Sequence, residues 1–237
     1  MTVAIVIAGG VGSRMGANIP KQFVLVEGKP VLFYTLEAFE KHPQVDAIEL
    51  VLIEGWEEDV EQWKEQYGIS KLKWIVKGGA SGQESIRNGV FGLEDKCAAD
   101  DIVIIHDGIR PLVQPEVLDD VIAKARQFGT GVTSMLYNEQ IFLVDEKDPA
   151  ITRKYIPRET LRRVATPQAY KFDLLDQAYH EAFEKKIGIY GSSYTNTMMT
   201  ELGHELHFAA GSDKNLKLTT PGDLEIFRAY LVNQRAK

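Results

Sequence analysis

The sequence predicts an α/β fold in which a mostly parallel sheet is covered by helices on both faces. Three observations point there. Apolar runs alternate with helical patterns through the first 136 residues, as in strand–helix–strand units. The first run, Val3 to Ala8, ends in the glycine-rich turn Gly9-Gly10-Val11-Gly12, and open α/β sheets bind ligands outside the carboxyl ends of their strands. Beyond that alternation the pattern changes. A polar two-strand insertion, about 137–165, predicts a hairpin-like excursion from one domain that occupies residues 1–237.

Each element follows from its local pattern. Val3 to Ala8 reads as a buried parallel strand. Pro30 to His42 carries Val31, Leu32, Leu36 and Phe39 at helical spacing. Ala47 to Ile53 is a second strand, and Glu57 to Tyr67 a charged helix with Trp63 and Tyr67 on one face. Trp74 to Val76 is a short strand ending at Gly78-Gly79, and Glu84 to Leu93 a helix. Asp101 to Ile105 is a strongly apolar strand ending at His106-Asp107. Pro115 to Phe128 is helical, with Leu118, Val121, Ile122 and Ala125 as its buried face, and Gly131 to Leu136 returns as a strand. Ile141 to Val144 and Ile151 to Ile156 form a hairpin-like pair. Phe172 to Glu184 is a helix and Leu206 to Ala210 a late strand. Pro221 to Val232 closes the chain, with Asp223 and Glu225 complementing the helix dipole.

Composition narrows the functional classes. The chain has 44% apolar and 26% charged residues, ordinary for a soluble globular protein. A net charge of −7 argues against a nucleic-acid partner, which calls for a basic footprint. One cysteine, Cys97, leaves no internal disulfide and fits a reducing, cytoplasmic setting. It lies in the acidic stretch Glu94-Asp95-Lys96-Cys97-Ala98-Ala99-Asp100, which would raise its pKa and argues against a nucleophile. The sequence shows no signal peptide and no apolar run near a membrane span, so no membrane partner is expected.

The opening turn suits a phosphate. Glycines let backbone N–H groups approach it, and a helix start adds positive potential. Arg14 and Lys21 follow where a polyphosphate carries charge. The nucleoside-triphosphatase pattern G-x-x-x-x-G-K-[ST] is absent. The dinucleotide fingerprint fails too, because Met15 stands where its third small residue belongs. Taken alone, the stretch is no more than a glycine turn with solvated cations, so other segments must decide.

Gly-Gly-x-Gly-x-Arg-Met followed by Pro20-Lys21-Gln22 resembles the opening of the cytidylyltransferases that act on sugar-alcohol phosphates. That family includes the 2-C-methyl-D-erythritol 4-phosphate and ribitol 5-phosphate cytidylyltransferases. The resemblance implies a Rossmann-like nucleotidyltransferase domain, in which the hairpin-like segment makes a projecting arm. It also implies a CTP site formed by Ala8, Gly9, Gly10 and Gly12, with Arg14 and Lys21 as catalytic cations. His106-Asp107-Gly108-Ile109-Arg110-Pro111 matches the family's His-Asp-x-x-Arg-Pro. Asp107 then inherits the Mg²⁺ role, which also suits a strand-end carboxylate beside a triphosphate, and Arg110 a supporting role near the acceptor phosphate. Read by itself, Asp107 could equally be a turn or N-cap residue.

Further segments extend the resemblance. Gly78 to Ser85 is similar to the family loop that closes over cytosine, with Gly79 for close approach and Ser85 for its hydroxyl. Gly82 replaces a usual arginine there, and Ser85 could instead be a local helix cap. Asn215 to Asp223 matches the segment that sets a second lysine, Lys217, opposite Lys21. Pro157-Arg158 and Ala165 to Gln168 resemble the acceptor side, where Arg158, reaching over from a second subunit, and Thr166 would hold the polyol phosphate. Two departures fall on that side: Glu139-Gln140 for a common Asp-Thr, putting Gln140 among the acceptor contacts, and Thr195-Asn196 for Thr-Asp.

The expectation is transfer of a cytidylyl group from CTP to a sugar-alcohol phosphate by a Mg²⁺-dependent homodimer. The apolar-Ala-Gly-Gly opening, Lys21-Gln22-Phe23 and Gly55-Trp56 favour ribitol 5-phosphate over methylerythritol phosphate. Other classes make different predictions. A non-catalytic relative would bind CTP without releasing pyrophosphate. A nicotinamide oxidoreductase would bind its dinucleotide without Mg²⁺.

Overall fold

The computed structural model describes residues 1–10, 19–191 and 194–235. Strand β1 (Thr2–Ala8) leads, through a 3₁₀ turn at Lys21–Phe23, into the short ribbon β2 (Leu25–Val26) and β3 (Lys29–Pro30). Helix α1 (Val31–Lys41), β4 (Ala47–Leu52), α2 (Glu57–Tyr67), β5 (Leu72–Lys77), α3 (Gly82–Phe91) and β6 (Ile102–Asp107) follow in strict alternation. Then come α4 (Pro115–Phe128), β7 (Thr130–Leu136), β8 (Ile141–Val144), β9 (Thr152–Ile156) and β10 (Arg162–Lys171). Helices α5 (Phe172–Lys185) and α6 (Thr195–Glu201), strand β11 (Phe208–Ala210) and helix α7 (Pro221–Arg235) end the chain.

Seven strands form the central sheet in the order β11-β7-β10-β6-β1-β4-β5. All neighbours are parallel except β10, which runs antiparallel to both β6 and β7. The apolar run of β1 explains its central place. Ala4, Val6 and Ala8 face the layer containing Leu32, Leu36, Phe39, Val60, Leu118 and Val121. Val3 and Ile5 face the opposite layer, with Ile86, Val90, Leu175, Tyr179 and Met198. A strand with no polar face has stable places only where helices cover both sides. A third cluster, Val26, Val31, Ile109, Leu218, Leu224 and Phe227, packs α7 beneath the loops that follow β6.

Two elements depart from the sequence expectation. Residues 162–165 belong to the central sheet rather than the arm: Arg162 pairs with Leu136, Arg163 with Met135 and Val164 with Ser134. With Arg162-Arg163 at its start and Pro167 within it, β10 lacks any strand signal of its own. Tertiary pairing on both edges makes it a strand. The arm proper is the hairpin β8–β9, paired from Ile141↔Ile156 to Val144↔Thr152 and largely exposed. Helix α6 is the second addition; seven residues are too few for a clear 3.6-residue period.

Candidate active site

The carboxyl ends of the parallel strands β1, β4, β5 and β6 open into one cavity of about 860 Å³. That size suits a nucleotide with a second small ligand. One wall is backbone. Ala8, Gly9 and Gly10 leave β1, and Gly78, Gly79, Ala80, Ser81 and Gly82 leave β5. The two loops touch: a Cβ on Gly78 would stand 3.1 Å from the Gly9 Cα. At Gly79 a Cβ would fall 2.3 Å from that of Glu84, so only glycine fits. The Ser85 hydroxyl is committed locally, accepting from the Gly79 N–H at 3.0 Å and donating to the Ser81 carbonyl at 2.9 Å. Helix α3 is capped by Ser81, whose oxygen accepts from the Glu84 N–H, not by Ser85. Lys21 lines the cavity from the 3₁₀ turn, and Phe23 anchors that turn by stacking on Trp56 at 4.1 Å.

The facing wall is built from charged side chains. Asp107 ends β6, and its carboxylate meets Lys217 Nζ at 3.1–3.2 Å and Arg110 Nε at 2.9 Å. Thr166 Oγ1 accepts from the Asp107 N–H at 3.1 Å and donates to its carboxylate at 3.3 Å. Burial alone would raise the pKa of Asp107, but Lys217 and Arg110 outweigh it and hold the carboxyl well below the usual carboxylate range. Asp107 is therefore an anion at neutral pH, and its side chain stays 22% exposed to the cavity.

Cross-ties fix this wall. Arg110 Nη1 donates to the Asn215 carbonyl at 2.9 Å, and Asn215 Nδ2 donates to the Thr166 carbonyl at 2.7 Å. Leu218 is buried and its N–H donates to Ile109 O at 2.9 Å, which sets the neighbouring Lys217. A capping box starts α7: Thr220 Oγ1 accepts from the Asp223 N–H at 3.3 Å, while the Asp223 carboxylate accepts from the N–H groups of Thr219 and Thr220 at 2.8 and 2.7 Å. The ties of Arg110 to Asn215, Asn215 to Thr166 and Leu218 to Ile109 join segments distant in sequence, so the wall exists only in the folded chain. His106 is fully buried, and burial lowers its pKa to about 4. Its Nε2 lies 3.1 Å from the Arg110 carbonyl, so the neutral ring serves the loop as a donor.

Of the residues predicted from sequence, Ala8, Gly9, Gly10, Lys21, Gly79, Ser85, Asp107, Arg110, Thr166 and Lys217 all line this cavity. Gly12 and Arg14 lie outside the described residues. Gln140 and Arg158 do not line it: both are exposed on the arm, where Arg158 Nη1 donates to the Asn138 carbonyl at 3.1 Å. The arm carries them away from the cavity of their own chain. Burial, more than the acidic neighbours, pushes the Cys97 thiol up to about 12. The sequence reading missed Glu54, Lys77, Gln168 and Tyr194, which also line the cavity. Glu54 and Lys77 sit at strand ends that the strand pattern marks, and Gln168 closes the Ala165 to Gln168 segment, whereas Tyr194 carries no local signal.

The chain matches the family model described as IspD, 2-C-methyl-D-erythritol 4-phosphate cytidylyltransferase, over residues 2–233. The chain belongs to this family. A ribitol-5-phosphate cytidylyltransferase of Lacticaseibacillus paracasei is 56% identical over 231 residues, covering 98% of each chain. One of Vibrio parahaemolyticus is 34% identical over 99% of this chain and 97% of its own. A 2-C-methyl-D-erythritol 4-phosphate cytidylyltransferase of Clostridium novyi is 33% identical over 97% and 96%. The fold matches the crystal structure of 4-diphosphocytidyl-2C-methyl-D-erythritol synthase from Anaerococcus prevotii with a TM-score of 0.82 at 22% identity, over 98% and 96% of the two chains. As a member of the IspD family the protein is a cytidylyltransferase, an enzyme of the nucleotidyltransferase class.

Proposed function

We propose that the protein transfers the cytidylyl group of CTP to ribitol 5-phosphate, forming CDP-ribitol and releasing pyrophosphate. The observation that carries the choice of acceptor is the 56% identity, over 98% of both chains, to the ribitol-5-phosphate enzyme of Lacticaseibacillus paracasei. The cavity supports the chemistry. The glycine wall gives a nucleotide close backbone contact, and Lys217, Arg110 and Asp107 gather in the cavity that Lys21 also lines.

The acceptor's phosphate oxygen attacks the α-phosphorus of CTP. The new P–O bond forms as the bond to the β-phosphate bridging oxygen breaks, and pyrophosphate leaves with that electron pair. A phosphate monoester is already anionic at neutral pH, its second pKa being about 6, so no side chain needs to remove a proton. His106 is a poor base, because burial lowers its pKa to about 4 and its Nε2 is committed to the Arg110 carbonyl at 3.1 Å. The residues contribute by position and charge: Lys21 and Lys217 stabilise charge growing on the phosphoryl oxygens, with Arg14 as a further cation. Asp107, ionised and open to the cavity, fits as the residue that would hold Mg²⁺. The ion, when bound, neutralises phosphate charge.

Arg158 and Gln140 fit this scheme as contacts offered to a second subunit. Phe142, Val144 and Tyr155 of the arm are 58–68% exposed, and a lone two-stranded hairpin is marginal in water. A homodimer that covers the arm answers both facts. Among the described residues no helix is long and apolar enough to cross a membrane, and the single thiol suits the reducing cytoplasm.

Methylerythritol phosphate is the second acceptor to test, because the family model and the Clostridium novyi relative carry that name. Pyrophosphate release is measured with CTP, Mg²⁺ and each acceptor in turn. Turnover with ribitol 5-phosphate at least tenfold above methylerythritol phosphate is expected. The reverse preference overturns the acceptor, and silence with both overturns the reaction.

A further inference from the structure

Three consecutive residues form the short turn Lys21–Phe23, and each faces a different way. Lys21 lines the cavity. Phe23 is buried and stacks on Trp56, which ties the turn to the aromatic cluster of Trp56 and Trp63. Gln22 lies between them, 1% exposed. Its carboxamide nitrogen donates to the carbonyl of Ala8 at 2.7 Å and to that of Gly10 at 2.9 Å. One amide thus spends both of its hydrogens on the two carbonyls that bracket Gly9.

A loop that receives a polyanion must present N–H groups and keep its carbonyl oxygens occupied elsewhere. A carbonyl left without a donor beside a triphosphate would repel it, and a buried polar group without a partner is costly. We propose that Gln22 is a positioning residue. Its carboxamide clamps the Ala8 and Gly10 carbonyls, holding the Ala8–Gly10 backbone in the form that accepts the CTP triphosphate, while the same turn presents Lys21. Glycine supplies the freedom to adopt this form but nothing to keep it, since among the described residues a Cβ at Gly10 would meet nothing within 4 Å. The clamp restores the rigidity that the glycines give up. This inference rests on the cavity being a CTP site.

Gln22→Met keeps the length and bulk of the side chain and removes both donors. CTP binding with Mg²⁺ is measured by calorimetry in the absence of acceptor, and the KM values for CTP and ribitol 5-phosphate are measured separately. The clamp requires CTP affinity to fall at least tenfold, the CTP KM to rise in step, and the acceptor KM to stay within twofold. Gln22→Asn, with the same amide on a shorter stem, cannot span both carbonyls and should show an intermediate loss of CTP affinity; it decides the matter if the methionine variant does not fold. CTP binding within twofold of the parent in either folded variant overturns the proposal, as does an equal loss for both substrates with a lowered melting temperature. If the parent protein itself binds no CTP, the reading of the cavity falls, and the clamp with it.

Discussion

The two walls of the cavity do opposite things with the same chain. The glycine wall works through backbone: its contribution is the absence of side chains at Gly9, Gly78 and Gly79 and the closeness this permits. The facing wall works through side chains, with Asp107, Arg110, Lys217 and Thr166 joined in one hydrogen-bonded group. Shape recognition needs only steric room, whereas charge stabilisation needs groups held at fixed distances. The first should therefore fail through added bulk and the second through lost charge.

The largest break is expected on the charged wall. Asp107→Asn keeps the shape and removes the anion between Lys217 and Arg110. Pyrophosphate release should fall by about a thousandfold, the scale of a lost electrostatic group, with the far-ultraviolet circular dichroism unchanged. Near-parental turnover would falsify a role for Asp107. Because its native carboxyl titrates lower than in the unfolded chain, its stabilisation is present above the unfolded pKa and is lost as the pH falls through the native one.

Lys21→Ala comes next and tests whether the cation opposite acts on binding or on the transition state. A fall in kcat of about a hundredfold with little change in KM is expected if its charge matters most as the bonds change. A rise confined to the KM for CTP would instead join Lys21 to the binding wall. Gly79→Ala probes the glycine wall directly, since the methyl group would have to displace Glu84. The KM for CTP should rise about tenfold, and stability should drop by about 1–3 kcal/mol, seen as a lower urea midpoint. An unchanged KM for CTP would detach the loop from nucleotide binding.

The smallest effect sharpens the contrast from outside the cavity. Glu49, in the middle of β4, is fully buried, and among the described residues both of its carboxylate oxygens lack a hydrogen-bond partner. Burial raises its pKa to about 8, with Lys96 offsetting only part. Asp107 shows a carboxylate held charged by cations; Glu49 shows one kept neutral where cations are too few. The native state keeps the Glu49 proton up to about pH 8, while the unfolded chain releases it near its model-peptide value of about 4.3. Stability from this group is full below the unfolded value and declines as the pH rises to the native one. Glu49→Met should flatten the decline in melting temperature between about pH 5 and pH 8. An undiminished decline in the variant would assign the pH dependence to another group.

Much of this was legible in the sequence. Dense apolar runs at β1, β4 and β6 have no stable place but the centre of a covered sheet, and helix α4 showed its buried face by spacing alone. Local motifs also marked the glycine loops, Lys21, Asp107 and Lys217. What stayed hidden depends on partners far along the chain. Strand β10 opens with two arginines and contains a proline, and it is a strand because β6 and β7 pair with it. Asp107 and Lys217 stand 110 residues apart, and the packing of Ile109 and Leu218 against α7, with the hydrogen bonds that cross between the two segments, brings them within 3.2 Å. Gln22 belonged to a recognised motif, yet nothing local shows that its amide reaches back to Ala8 and Gly10. Periodicity and steric freedom are properties of short segments, so sequence alone determines them. Distances between charges, and the burial that sets the protonation of Glu49 and Asp107, are properties of the assembled core, so only the tertiary structure decides them.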